Sequence, residues 1–144
     1  MENILREKAQ IMDGVAMRRA LARISFEIVE RNRGVENLCI IGIMSRGAQL
    51  AERIAAKIEE IEGQPIPVGY VDIARFRDDR ETRAEGDNTS IQFPLTGKKL
   101  VLVDDVIYTG RSVRAAIDAI LERGRPDSIQ LATLVDRGHR ELPI

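Results

Sequence analysis

The chain has 144 residues, 44% of them hydrophobic and 31% charged, with a formal net charge of −1. This length suits one domain with one packed core, and the composition excludes a disordered chain. The near-neutral balance does not announce a nucleic-acid binder, although 22 basic residues leave room for a local basic face.

Residues 1–12 read as either a short strand or an arm. Asp13 is an N-cap candidate, and Met17, Leu21, Ile24 and Ile28 then share one helical face, with Gly34 as the stop signal. Arg18, Arg19 and Arg23 fall off that face, where they form either a solvated surface or a partner-binding one. Leu38–Ile43 reads as a buried strand, and the single cysteine, Cys39, lies within it as a core thiol. The strand ends in a polar turn, Met44-Ser45-Arg46-Gly47. A helix follows, with Ala48, Ala51, Ile54, Ala55, Ile58 and Ile61 on its apolar face and Gly63 at its close. Ser45 offers a hydroxyl, Arg46 a fixed cationic fork and Gly47 unusual dihedrals, a combination that suits a phosphate.

A third strand is expected over Val68–Ile73. From Arg77 to Ser90 the chain is strongly polar, reading as a long loop that carries Arg77, Arg80 and Arg83. Ile91–Leu95 reads as a return strand and Leu100–Val103 as a buried one. Asp104 and Asp105 follow, then the turn Thr109-Gly110-Arg111-Ser112 and a helix marked by Val113, Ala116, Ile117, Ile120 and Leu121. Ser128–Val135 is the last expected strand. It runs into Asp136-Arg137-Gly138-His139-Arg140, where the lone histidine is either structural or part of a binding surface. No apolar run approaches a membrane-spanning length and no signal peptide opens the chain, so a cytoplasmic location without a membrane partner is expected. Walker A, G-x-G-x-x-G and paired His/Cys metal patterns are absent from the sequence.

The alternation of strands and helices predicts an α/β domain over residues 1–144 with a mainly parallel sheet. In such sheets ligands bind beyond the carboxyl ends of the strands. The Thr109–Ser112 turn opens a helix, whose free N–H groups suit a phosphate, and Gly110 admits close backbone approach. Asp104 and Asp105 repel phosphate but suit sugar hydroxyls or Mg²⁺.

The run Leu100–Val103, Asp104-Asp105 and Thr109-Gly110-Arg111-Ser112 resembles the phosphoribosyl pyrophosphate (PRPP) loop of type I phosphoribosyltransferases. The resemblance implies that fold, a twisted sheet flanked by helices with a long flexible loop. It also implies that Asp104 and Asp105 contact the ribose hydroxyls, within a nucleotide site that includes Val106, Ile107, Tyr108, Thr109, Gly110, Arg111 and Ser112. Ser45, Arg46 and Gly47 would hold the pyrophosphate, joined by Arg77 from the flexible loop. Mg²⁺ would ride on PRPP, touching the two acids only indirectly.

Three stretches are similar to the PyrR family, regulators of pyrimidine biosynthesis that also act as uracil phosphoribosyltransferases. They are the first helix from Arg18 to Asn32, the segment Val71–Asp79, and Leu134–Ile144. The resemblance implies conversion of uracil and PRPP to UMP and diphosphate, with Asp104, Asp105 and Arg46 in catalytic roles and Asp136 and Arg137 in the base-binding region. It also implies UMP- or UTP-responsive binding to the leader mRNA of a pyrimidine operon through Ser45, His139, Arg140, Arg18 and Arg19, in a homo-oligomer. Tyr108 stands where purine enzymes of the superfamily carry an acid, which argues against a purine acceptor. A transferase for another base without an RNA role is the alternative. Ser45 and Met44 depart from the family's usual Thr and Lys or His, and family members continue beyond a Pro-Ile such as Pro143-Ile144. The chain is therefore expected to lack the family's C-terminal segment.

Overall fold

The first helical face folds as α1, Gly14–Arg31, with Ala20, Leu21, Ser25 and Ile28 buried. The buried apolar run after it becomes β1, Leu38–Ile43, every residue of which is inside. In the computed structural model, which describes residues 14–44, 46–74, 88–107 and 110–136, the remaining elements follow in alternation. They are α2 (Arg46–Glu62), β2 (Val68–Val71), β3 (Lys99–Ile107), α3 (Arg111–Leu121) and β4 (Ser128–Asp136).

The four strands form one parallel sheet in the order β2-β1-β3-β4. Parallel neighbours need crossovers, and helices supply them, so both faces of the sheet are covered. Leu38, Ile40, Val101 and Val103 point to one face and meet Leu21 and Ile28 of α1 and Leu50, Ala51, Ile54 and Ile58 of α2. Cys39, Ile41, Leu100 and Leu102 point to the other and meet Val113, Ala116 and Ile120 of α3. Burial pushes the Cys39 thiol up to about 12, so it is a packing residue and not a nucleophile.

A reciprocal amide pair ties α1 to β4. Asn32 Nδ2 donates to Gln130 Oε1 at 3.1 Å, and Gln130 Nε2 donates to Asn32 Oδ1 at 2.7 Å. Asn32 Nδ2 also reaches the Ile28 carbonyl at 2.8 Å, and Lys99 Nζ donates to the Asn32 carbonyl at 3.3 Å. A buried amide at the end of a helix thus has its donors and acceptors satisfied.

The structure corrects three boundaries. β3 does not stop at Val103: it continues through both acids to Ile107, with Asp104 opposite Thr133 and Val106 opposite Val135 on β4. β2 ends at Val71 and not at Ile73. Ile91–Leu95 is not a strand; the returning chain makes one antiparallel bridge, Tyr70 with Ser90.

Two glycines set how closely the layers approach. A Cβ on Gly42 of β1 would stand 2.4 Å from the Gly47 carbonyl oxygen and 2.7 Å from the Ala48 Cα. A Cβ on Gly47 would stand 2.4 Å from the Val103 carbonyl oxygen of β3. Backbone atoms cannot swing aside as a side-chain tip can, so a methyl group here displaces α2. Gly42→Ala and Gly47→Ala are each expected to lose about 3 kcal/mol or more, read as a lowered midpoint in denaturant unfolding. An unchanged midpoint for both would mean that the approach is looser than the structure has it.

Candidate active site at the carboxyl edge of the sheet

The parallel strands all end on one edge, where β1 passes into α2 and β3 passes towards α3. Arg46 is the first residue of α2, brought there because Gly42 and Gly47 let the helix start lie against β1 and β3. Strand alternation puts Asp105 in phase with Val101 and Val103, on the α2 side. Arg46 Nη1 meets Asp105 Oδ2 there at 3.4 Å. The guanidinium is 77% exposed and the carboxylate 26%, so this is a long, wet ion pair that adds little to stability and leaves the cation open to another anion.

Each acid also braces the main chain after it. Asp104 Oδ1 accepts the Asp105 N–H at 2.9 Å, and Asp105 Oδ1 accepts the Val106 N–H at 2.8 Å. Thr133 of β4 donates its hydroxyl to the Asp105 carbonyl at 3.1 Å. The acids are therefore held in an ordered backbone. Burial raises the Asp104 carboxyl to about 7, from an ordinary 3.8, with the neighbouring Asp105 charge adding to the rise.

Beyond the acids, Gly110 adopts φ 93° as the N-cap of α3, and among the described residues no side chain makes the N-cap hydrogen bond at that end. The left-handed turn needs glycine. The N-terminal end of a helix, with its positive dipole end, suits an anion. Arg111 and Ser112 open the helix directly behind it.

The structure thus gathers Arg46, Gly47, Asp104, Asp105, Val106, Gly110, Arg111 and Ser112 along one edge, and Asp136 ends β4 at the same edge. Ile107 closes β3. Ser45, Arg77, Tyr108, Thr109, Arg137, His139 and Arg140 lie outside the described residues, as do Arg80 and Arg83. Arg18 and Arg19 are exposed on α1. Leu21 and Ile24, from the middle of α1, line a small pocket with Asp104 and Leu134. Sequence reading did not single out Thr133 or Gly42. A glycine within an otherwise apolar buried strand was the available sign for Gly42.

A family model described as phosphoribosyl transferase domain matches residues 7–144. A relative from Acetivibrio thermocellus called Bifunctional protein PyrR is 57% identical over 141 residues, covering 96% of this chain and 77% of that protein. The Bacillus subtilis protein of the same name is 52% identical, covering 97% of this chain and 80% of its own length. The chain belongs to the phosphoribosyltransferase family, in its PyrR branch. Solved structures share the fold at lower identity. A purine phosphoribosyltransferase from Pyrococcus horikoshii matches with a TM-score of 0.67 at 21% identity, over 90% of this chain and 79% of that one. A hypoxanthine phosphoribosyltransferase from Trypanosoma cruzi matches with a TM-score of 0.69 at 15% identity, over 88% and 71%.

The raised Asp104 value has a consequence for stability. Between about pH 4 and 7 the folded chain keeps a proton that the unfolded chain has released, so this group lowers stability as pH rises through that range. Asp104→Asn removes the penalty. The variant should exceed the parent by about 1–3 kcal/mol at pH 8 in chemical denaturation, with the advantage gone near pH 4. An advantage that grew towards acid pH would reverse the assignment.

Proposed function

We propose that this chain transfers the phosphoribosyl group of PRPP to uracil, releasing diphosphate, and that the same nucleotide pocket governs RNA binding in control of a pyrimidine operon. The observation that carries the catalytic half is the single edge shared by an exposed arginine, a braced acid pair and a helix start behind a left-handed glycine turn. A phosphoribosyl donor has three chemical parts, and each has a counterpart there. The 5′-phosphate fits the Gly110–Ser112 turn, with Thr109 adding a hydroxyl. The ribose hydroxyls donate to Asp104 and Asp105. The diphosphate lies towards Arg46, Ser45 and Gly47, with Arg77 as a further cation.

Displacement at the anomeric carbon develops positive charge on the sugar ring, as in glycoside chemistry. Asp105, and Asp104 once ionised, stabilise that charge, and Arg46 offsets the negative charge growing on the departing diphosphate. Arg46 stands ready for that exchange because its hold on Asp105 is long and mostly exposed. Fixed positions along a rigid sheet edge supply the alignment. Among the described residues no group of three or more His, Cys, Asp or Glu side chains could cage a metal. The carboxylates of Asp104 and Asp105 suit Mg²⁺ carried in by the donor, where it would neutralise diphosphate charge with the two acids as indirect neighbours. Asp136 and Arg137 are assigned to the uracil side.

The double substitution Asp104→Asn with Asp105→Asn keeps shape and removes both charges. Uracil-dependent diphosphate release should fall by at least 100-fold while the protein stays folded. Retained turnover would remove the acids from the mechanism, and turnover with hypoxanthine or another base in place of uracil would move the chain to the alternative, a transferase for a different acceptor.

For the regulatory half, Arg18 and Arg19 stand exposed on α1, and Ser45, His139 and Arg140 complete the proposed RNA surface in an assembly of two or more copies. Arginine both contacts phosphate and stacks on splayed bases. UMP should tighten binding to a stem-loop from the operon leader. Replacing Arg18 and Arg19 by Ala should weaken that binding and lower the log–log salt slope by about 2. A slope indifferent to both arginines would take them off the RNA surface.

A further inference from the structure

The end of β2 carries a clasp that the catalytic reading does not use. Asp72 is the first residue beyond the strand, at the carboxyl edge. Its Oδ1 accepts the Ala74 N–H at 3.1 Å and its Oδ2 accepts the Asn88 N–H at 3.2 Å. Its own N–H donates to Thr89 Oγ1 at 2.9 Å. Two residues away, Tyr70 and Ser90 exchange a pair of backbone hydrogen bonds, both 2.9 Å. One carboxylate therefore ties the chain leaving β2 to the chain that returns beside it. Bonds from N–H groups to an ionised acceptor are the stronger class.

The clasp bears on the site through one further bond. The Val71 carbonyl, immediately before Asp72, accepts the Met44 N–H at 3.0 Å. Met44 stands two residues before Arg46 in sequence, and Arg46 meets Asp105. Among the described residues β2 is an edge strand of four residues, paired with β1 on one side and ending at the buried Val71. We infer that Asp72 is a positioning residue for the diphosphate end of the donor: by locking the end of β2 it sets the turn that presents Arg46. It touches no substrate. The inference rests on the reading of Arg46 as a diphosphate ligand.

The sign of the effect separates this role from simple electrostatics. Removing an acid near an anion site should tighten anion binding through charge alone. Removing a positioning residue should weaken it. The effect should also fall on PRPP and spare UMP, whose phosphate sits at the Gly110 turn and which carries no diphosphate.

The test is calorimetric titration of the parent, Asp72→Ala, Asp72→Asn and Thr89→Val with Mg·PRPP and, separately, with UMP, alongside hydrogen exchange at the Ala74 and Asn88 amides. Asp72→Ala should weaken PRPP binding about ten-fold, leave UMP binding within two-fold and expose both amides. Asp72→Asn retains one acceptor oxygen and should lie between parent and Asp72→Ala, and Thr89→Val should shift PRPP in the same direction by less. Equal losses for PRPP and UMP would reduce Asp72 to a general structural role and overturn the inference. Unchanged or tighter PRPP binding by Asp72→Ala would overturn it as well. If the parent itself fails to bind PRPP, the proposed function fails first and takes this role with it.

Discussion

The distance between the start of α2 and the two central strands is the constraint on which the site depends. It is set by backbone meeting backbone, at Gly42 against the Gly47 carbonyl and at Gly47 against the Val103 carbonyl. Any other residue at either position inserts a carbon where no space exists. The close approach is what delivers Arg46 to Asp105 across 59 positions of sequence. The apolar layers could pack adequately with a wider gap, but the arginine would then stand away from the acids. Packing and chemistry meet in the same two glycines.

The acid pair illustrates how a folded environment changes what a residue type can do. Asp104 and Asp105 are adjacent in sequence, yet their surroundings differ. Asp105 has a cation partner, whereas Asp104 is desolvated and faces its neighbour's charge. Both spend one oxygen on the backbone N–H that follows. That bracing leaves the remaining oxygens directed by the main chain rather than by free rotation. Under the proposed function, the work of a site assembled this way is alignment and charge compensation.

Much of this was legible beforehand, for identifiable reasons. The apolar periods of Leu38–Ile43, Ala48–Ile61 and Val113–Leu121 are strong because each element is covered by another layer. Residue chemistry alone suggests an anion for the two turns, and their described parts, Arg46–Gly47 and Gly110–Ser112, lie on one edge. Three things were hidden. β3 runs through Asp104 and Asp105 because β4 offers Thr133 and Val135 as ladder partners, a pairing that overrides the poor strand propensity of aspartate. Ile91–Leu95 alternates like a strand, and Ile91, Phe93 and Leu95 do face the core, but Pro94 lacks the N–H a ladder needs. The Arg46–Asp105 and Asp72–Asn88 contacts join residues that no local pattern relates.

The interlocked carboxamides of Asn32 and Gln130 impose a rule on inheritance. Each is donor and acceptor to the other, so a lineage that altered one alone would leave its counterpart facing a mismatched or missing group in a half-buried setting. Drift at these two sites should therefore proceed in tandem, either as a matched swap or as joint replacement by apolar side chains of similar volume. The fastening of the first helix to the outermost strand is in that sense a single heritable character written at two places 98 residues apart.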